Sequence, residues 1–234
     1  MDLIVNGEPK QVSNEQLHLV LNELGYAGKH FIVELNGEIL SKETYTTTKL
    51  TEVVDMLDSF TVGNTTFSSR LLVGTGKYAS YNLMYDALVA SQSDIVTVAL
   101  RRVGTTQSEE DIVNYIPDRM HLLPNTSGAR NADEAIRIAR MAKALGCGDL
   151  IKIEVIQDQM YLMPDNLETI KATEVLAKEG FIVFPYMSPN LMDAKRLVDA
   201  GASCVMPLAS PIGSNRGLEA KGLIEILINS IDVP

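Results

Sequence analysis

The sequence predicts an α/β protein whose larger part is a (β/α)8 barrel of the TIM type, truncated after six βα units and preceded by a small β-grasp-like module. Two observations predict the barrel. Short apolar runs recur every 22 to 31 residues with helical sequence between most of them, and most of the runs end at or near Gly, Pro, Thr or Ser. A third observation separates the module, because the first 60 residues follow a ββαββ order instead.

The N-terminal module is predicted over residues 1–60. Hairpin signals at Asn6-Gly7 and Asn36-Gly37 each join two short apolar strands. Between the hairpins lies a helix with apolar residues at helical spacing, which ends at Gly25. Residues 50–57 fit either a strand or a short helix, and residues 61–67 are assigned to a linker or to the first hairpin of the barrel.

The barrel segment is predicted over residues 68–234. Its strand-like runs begin near Leu71, Ile95, His121, Leu150, Phe181 and Ser203. The clearest helix follows the cap residue Asn131, has acids in its first turn and stops at Gly146. Strand–helix units of even length predict a parallel sheet with right-handed crossovers, and the carboxyl ends of its strands are where ligand loops are expected.

A doubly wound open sheet is the competing architecture. Its first loop normally has three glycines in a GxGxxG pattern, whereas residues 74–78 read GTGKY and lack the third. The barrel is therefore favoured. Because closure requires eight units and the sequence has six, we expect a barrel with two unpaired edges.

Composition excludes several classes of protein. The net charge is −10 and the isoelectric point is about 4.8, which argues against the basic face that nucleic acids and anionic membranes require. No signal peptide is indicated at the N-terminus, and no apolar run approaches about 20 residues. Cys147 and Cys204 are too few for a disulfide framework and are expected to be buried thiols. We therefore expect a cytoplasmic protein.

The informative strand is Leu150-Ile151-Lys152-Ile153-Glu154, in which Lys152 and Glu154 share one face. A parallel strand covered by helices is normally apolar on both faces, so a Lys and a Glu on the enclosed side require an explanation. One interpretation is a lysine that forms a Schiff base with a carbonyl substrate while Glu154 moves protons. The other is an internal ion pair. From spacing alone both remain open.

Two loops provide further candidates. Residues 124–128 (PNTSG) and 211–214 (PIGS) follow predicted strands and offer backbone amides beside small residues, a combination suited to an oxyanion or a phosphate. Ordinary βα turns have the same composition. Arg101-Arg102 could bind an acidic substrate or be ordinary solvated surface charge. The three histidines have no spacing typical of a catalytic triad or a metal site.

Four motifs together resemble, in order and spacing, bacterial thiazole synthase of thiamine biosynthesis. They are residues 72–78 (LVGTGKY), 123–129 (LPNTSGA), 151–156 (IKIEVI) and 206–214 (MPLASPIGS). The likeness runs from about Phe67 to Pro234. Residues 1–60 resemble, more loosely, the small sulfur-carrier protein of the same pathway, so the chain is similar to a carrier–synthase fusion.

The resemblance implies a function. In that family a barrel lysine forms an imine with 1-deoxy-D-xylulose 5-phosphate, a thiocarboxylated sulfur-carrier protein delivers sulfur, and dehydroglycine completes the thiazole phosphate ring. The imine lysine falls on Lys152 and its neighbouring acid on Glu154. Gly213, with Ser214 beside it, falls on the substrate-binding loop. The resemblance implies no metal and no other cofactor.

The sequence departs from the family pattern at two places. The sulfur carrier works through a Gly-Gly tail, whereas this chain contains no Gly-Gly dipeptide. The module at residues 1–60 is therefore expected to be docked or vestigial. The sequence reaches Pro234 where the seventh strand of the family begins. We therefore expect little or no synthase activity from these 234 residues alone, and self-association into a homo-oligomer through the open edges.

Two alternative functions remain open. One is another Schiff-base barrel, such as an aldolase. The other is a non-catalytic interaction protein that keeps the family surface without its chemistry.

Overall fold

The computed structural model of the protein describes residues 2–5, 8–26, 32–35, 38–40, 42–50, 55–100, 112–158 and 160–234. The described residues group into two compact units, Met1–Arg70 and Leu71–Pro234. Each unit contains a sheet with its own apolar core.

The first unit is a β-grasp-like module. Its elements are β1 (Asp2–Val5), β2 (Glu8–Gln11), α1 (Leu17–Glu23), β3 (Ile32–Leu35), β4 (Glu38–Leu40), β5 (Asp55–Val62) and β6 (Thr65–Phe67). The strand order is β2-β1-β5-β3-β4, and β6 pairs with β5. Strands β1 and β5 are parallel, with Ile4 opposite Asp55, while the two hairpins are antiparallel.

Helix α1 packs on this sheet through the apolar face that its residue spacing predicts. Leu17, Val20 and Leu21 are buried together with Leu3 and Val33 of the strands. The two Asn-Gly turns lie outside the described residues, but the strands that they were predicted to join are paired. The segment that fitted either a strand or a helix is a strand from residue 55 onward, and residues 61–67 lie in the β5–β6 hairpin.

The second unit is built from alternating strands and helices. The strands are β7 (Leu72–Gly74), β8 (Ile95–Ala99), β9 (His121–Asn125), β10 (Leu150–Ile153), β11 (Ile182–Met187) and β12 (Met206–Pro207). The helices are α2 (Tyr81–Ser91), α3 (Ala132–Ala144), α4 (Asn166–Lys178), α5 (Leu191–Asp199) and α6 (Lys221–Ile228). The described strands are all parallel and lie in chain order from β7 to β12.

Helices α2, α3, α4 and α5 of this unit begin at side-chain caps that the sequence supplies. Asn131 accepts a hydrogen bond from the Glu134 N–H at 2.9 Å, and Asp165 accepts one from the Glu168 N–H at 3.1 Å. After α3 the chain turns at Gly146, whose φ of +82° lies in the left-handed region. The helix predicted between Asn131 and Gly146 is therefore confirmed.

The two faces of the β10 strand have different surroundings. Ile151 and Ile153 are completely buried against α3 and α4, where alanines such as Ala139 and Ala172 allow the helices to approach the sheet closely. The opposite face turns away from these helices and carries Lys152. A register slip of one residue would exchange the two faces, so the buried isoleucines fix where Lys152 points.

The described part of the sheet curls into half of a barrel, which confirms the predicted fold class of an incomplete (β/α) barrel that a small module precedes in the chain. The outer strands of the sheet are β7 and β12. Within the described ranges, none of the helices is both long and apolar enough to cross a bilayer.

Candidate active site

Lys152 and Glu154 form an ion pair on the inner face of the half-barrel, at the carboxyl end of β10. Lys152 Nζ lies 3.0 Å from Glu154 Oε1, and the two side chains are only 20% and 12% exposed. The alternation expected from the sequence is thus observed. A largely buried amine beside a carboxylate has the two groups that imine chemistry requires, a nucleophile and a proton carrier.

Thr126 holds the backbone of this pair in place from the loop after β9. Its hydroxyl accepts a hydrogen bond from the Glu154 N–H at 2.8 Å and donates one to the Glu154 carbonyl, also at 2.8 Å. Its own N–H donates to the Lys152 carbonyl at 3.1 Å. Thr126 is completely buried, so the predicted loop at residues 124–128 serves the pair by positioning Glu154.

Replacing Thr126 by valine is expected to lower the free energy of unfolding by about 1–3 kcal/mol, since the buried Glu154 N–H and C=O lose their shared partner. Urea unfolding would measure the change. The control is Thr173→Val in α4, where a buried hydroxyl bonds only the Thr169 carbonyl at 2.8 Å. That carbonyl keeps its helical hydrogen bond, so the control should cost less than about 1 kcal/mol. Equal losses would contradict the positioning role of Thr126.

Tyr186 of β11 lies beside the ion pair. Lys152 Nζ is 5.6 Å from the centroid of its ring, within the range of a cation–π contact. The residue is 7% exposed, and its hydroxyl has no hydrogen-bond partner in the described part of the chain. Burial and the negative charge of Glu154 raise the pKa of this hydroxyl to about 12. The Tyr186 hydroxyl therefore keeps its proton, and is able to donate a hydrogen bond, across the physiological pH range.

An apolar cluster borders the pair on one side. Ile156, Tyr186 and Leu208 are buried together, and Leu162 packs against them with a left-handed φ of +56°. Asp158 holds the turn before Leu162 by accepting a hydrogen bond from the Tyr161 N–H at 2.8 Å. A buried apolar surface of this kind lowers the local dielectric constant, which strengthens electrostatic interactions beside it.

Gly213 and Ser214 lie in the loop after β12, at the same edge of the sheet as the carboxyl end of β10 and two strands away from it. Gly213 has a left-handed φ of +78°, and the Ser214 N–H donates to the Pro211 carbonyl at 3.1 Å. Ser214 Oγ is buried without a hydrogen-bond partner among the residues that the structure describes. The loop therefore offers an unused polar group; its substrate-binding role stays a prediction.

Other candidates of the sequence do not join this site. Arg101-Arg102 and His30 lie outside the described residues, and His18 belongs to the first unit. Cys147 and Cys204 are buried free thiols, and burial raises the pKa of the Cys204 thiol. Over the described ranges, no three His, Cys, Asp or Glu side chains are placed to hold a metal ion.

A groove of about 610 Å³ lies between α3 and α4, on the outer side of the sheet. Arg137, Arg140 and Asp133 line it with apolar neighbours. Arg140 is already engaged by Glu179, with an Nε–Oε2 distance of 3.1 Å. Because the sheet separates this groove from Lys152, it is not part of the candidate site.

Sequence reasoning did not single out Tyr186 or Thr126. Tyr186 could have been noticed because it lies in the apolar run of residues 181–186. It is two positions from Phe184 and therefore on the same face of that strand. Thr126 was present within a candidate loop. That its hydroxyl would reach Glu154 depends on how β9 and β10 pair, with Asn125 opposite Lys152.

Residues 61–234 match the model of a family described as thiazole biosynthesis protein ThiG. Proteins called thiazole synthase are close in sequence. One from Alkaliphilus metalliredigens is 62% identical over 178 residues, which are 76% of this chain and 69% of that protein. Another from Clostridium kluyveri is 60% identical over 76% of this chain and 70% of its own length. A third, from Clostridioides difficile, is 57% identical over the same shares.

A solved structure has a similar fold. The crystal structure of the BexX/CysO complex of Amycolatopsis orientalis superposes with a TM-score of 0.64 at 30% sequence identity. The superposition covers 74% of this chain and 72% of that one.

Proposed function

This chain belongs to the ThiG family of thiazole biosynthesis proteins, and from that premise we propose that Lys152 forms an imine with 1-deoxy-D-xylulose 5-phosphate on the way to a thiazole phosphate. Relatives at 57–62% identity are thiazole synthases, which supports thiazole synthase as the general function. The substrate and the role of each residue are the specific content of the proposal.

The observation that carries the proposal is the Lys152–Glu154 pair, 3.0 Å apart on the enclosed face of the sheet. In imine formation the neutral amine attacks the ketone carbon, a C–N bond forms, and the carbonyl oxygen finally leaves as water. Glu154 takes protons from the nitrogen and returns them to the departing oxygen. Afterwards it removes a proton from the carbon next to the imine, the step that prepares this carbon for sulfur.

The sulfur donor in this proposal is the thiocarboxylate of a separate carrier protein. The Amycolatopsis orientalis homologue forms a complex with CysO. The first unit of this chain has a β-grasp-like fold, but the sequence contains no Gly-Gly dipeptide that would serve as a carrier tail. We assign residues 1–60 the role of a docked or vestigial module and leave sulfur delivery to the separate carrier.

Gly213 and Ser214 are proposed to bind the sugar phosphate. Gly213 has the left-handed φ of a turn, and the buried Ser214 hydroxyl, which has no partner among the described residues, can donate to a phosphate oxygen. In barrels the phosphate is commonly held by loops after the seventh and eighth strands. The described sheet has six strands, so we expect the polypeptide of 234 residues, produced by itself, to form the imine more readily than to complete ring synthesis.

Borohydride trapping tests the proposal. The full chain is incubated with 1-deoxy-D-xylulose 5-phosphate and sodium borohydride, and the modified peptide is located by mass spectrometry. We expect one adduct, at Lys152. Adducts with other keto-sugar phosphates but not with deoxyxylulose phosphate would favour an aldolase. If no ketose phosphate is trapped, the pair is structural and the chain is a non-catalytic member of the family.

A further inference from the structure

Tyr186 has the features of a residue that acts on the substrate of Lys152. It lies on β11, next to β10, and both residues project from the inner face of the sheet. The Lys152 ammonium is 5.6 Å from the centre of the tyrosine ring. The positive nitrogen of an iminium ion at the same position would keep this cation–π contact.

The hydroxyl of Tyr186 is unusual because it is buried without a hydrogen-bond partner among the described residues. More than nine-tenths of the residue is removed from solvent. Most buried polar groups in folded proteins have a hydrogen-bond partner, and an exception requires an explanation, such as a catalytic role, strain, or a bound water or ion. The ring that carries this hydroxyl has its centroid 5.6 Å from the Lys152 nitrogen, so a ligand bound at Lys152 is a candidate for the missing acceptor.

We propose that Tyr186 donates a hydrogen bond from Oη to the carbonyl oxygen of the ketose that Lys152 attacks. This inference rests on the proposed function, because it assigns a second residue to the same imine. When the Lys152 nitrogen adds to the carbonyl carbon, the π electrons move to oxygen, and the tyrosine hydroxyl stabilises the developing negative charge. Two protons leave nitrogen and reach that oxygen by way of Glu154, and water departs.

In this scheme Tyr186 keeps its own proton throughout. Among the residues that the structure describes, the charged groups found beside it are Lys152 and Glu154 of β10, whereas Met206 and Leu208 on the other side carry no charge. Burial and the nearby Glu154 disfavour the phenolate, which raises the pKa of the hydroxyl and suits it to be a donor and not a base.

The first test is Tyr186→Phe. Adduct formation with 1-deoxy-D-xylulose 5-phosphate should slow by about 100-fold, the lower end of what removal of one oxyanion donor costs. The concentration of 1-deoxy-D-xylulose 5-phosphate that gives half of the maximal rate should change little. Tyr161→Phe is the matched control, since this tyrosine is 61% exposed in the loop after β10, and it should leave the rate unchanged.

Thermal unfolding of the same variant separates catalysis from structure. The hydroxyl has no partner within the described chain. Its removal should therefore leave the midpoint temperature of unfolding equal to that of the parent chain, or raise it. A lower midpoint together with a slower rate would indicate a structural role and overturn the proposal. An unchanged rate of adduct formation would overturn it as well.

A second variant keeps the proposal testable if the phenylalanine disturbs the fold. Incorporation of 3,5-difluorotyrosine at position 186 preserves the shape and lowers the pKa of the phenol. The rate of adduct formation should then decline as the pH rises between about pH 7 and pH 10, while the parent shows no such decline. Identical pH profiles would contradict a donor role.

The two proposals fail in different ways. If the parent chain gives no adduct at Lys152, the imine and the role of Tyr186 both fail. If the parent reacts and the Tyr186 variants react at the same rate with the same pH profile, the imine stands and only the inference about Tyr186 is wrong.

Discussion

Replacement of Lys152 by arginine is expected to reduce the borohydride-trapped adduct by at least about 10³-fold. Arginine keeps the positive charge beside Glu154, so the buried carboxylate is not left unpaired. A guanidinium group is protonated at every accessible pH and does not form an imine. The loss would therefore report the missing nucleophile. The readout is the mass increment of the reduced adduct, followed from seconds to hours and mapped to its peptide.

The matched control is Lys178→Arg in α4. Lys178 Nζ also forms an ion pair, 2.7 Å from Glu174 Oε1, but both side chains are exposed. The control should form adduct at the rate of the parent chain. If Lys152→Arg formed adduct at the parental rate, with the modification on another lysine, the assignment of Lys152 as the nucleophile would be wrong.

A second large effect is expected for Glu154→Gln. Glutamine preserves the size and the hydrogen bond to Lys152 but does not accept a proton at neutral pH. The imine should still form, at a reduced rate, whereas proton removal from the carbon next to it should slow by about 10²- to 10⁴-fold. Incorporation of solvent deuterium into the sugar phosphate, measured after the imine is hydrolysed, separates the two steps.

Glu174→Gln, in the exposed pair of α4, is the control for this variant and should exchange deuterium like the parent. Exchange at the parental rate in Glu154→Gln would show that another base removes the proton. The imine itself would be unaffected by that result, since trapping reports it independently.

The alternation at Leu150-Ile151-Lys152-Ile153-Glu154 was sufficient to place the lysine and the acid on one face. This worked because side chains of a strand alternate whatever the rest of the fold does, and because charged residues in a helix-covered strand are costly unless paired. The same holds for α3, where Asn131 and Gly146 fix the two ends of the helix through local hydrogen bonds and local backbone geometry.

The contacts around the pair were not predictable in this way. Thr126 and Glu154 are 28 positions apart, and their hydrogen bonds exist because β9 and β10 pair with Asn125 opposite Lys152. Tyr186 reaches Lys152 only because β11 lies on the other side of β10. In the linear sequence both residues look like ordinary members of apolar or turn segments.

Residue patterns along the chain were thus sufficient to predict the classes of element, the order of the units, the faces of the β10 strand and the candidate residues Lys152 and Glu154. The tertiary structure decided that the two side chains meet at 3.0 Å and that Thr126 holds the backbone of the acid. It also places the ring of Tyr186 beside Lys152 and leaves its hydroxyl buried without a partner in the described chain. Periodicity and capping act within a few residues, whereas the contacts of Thr126 and Tyr186 with the pair depend on the register between strands, which is set by packing over the whole sheet.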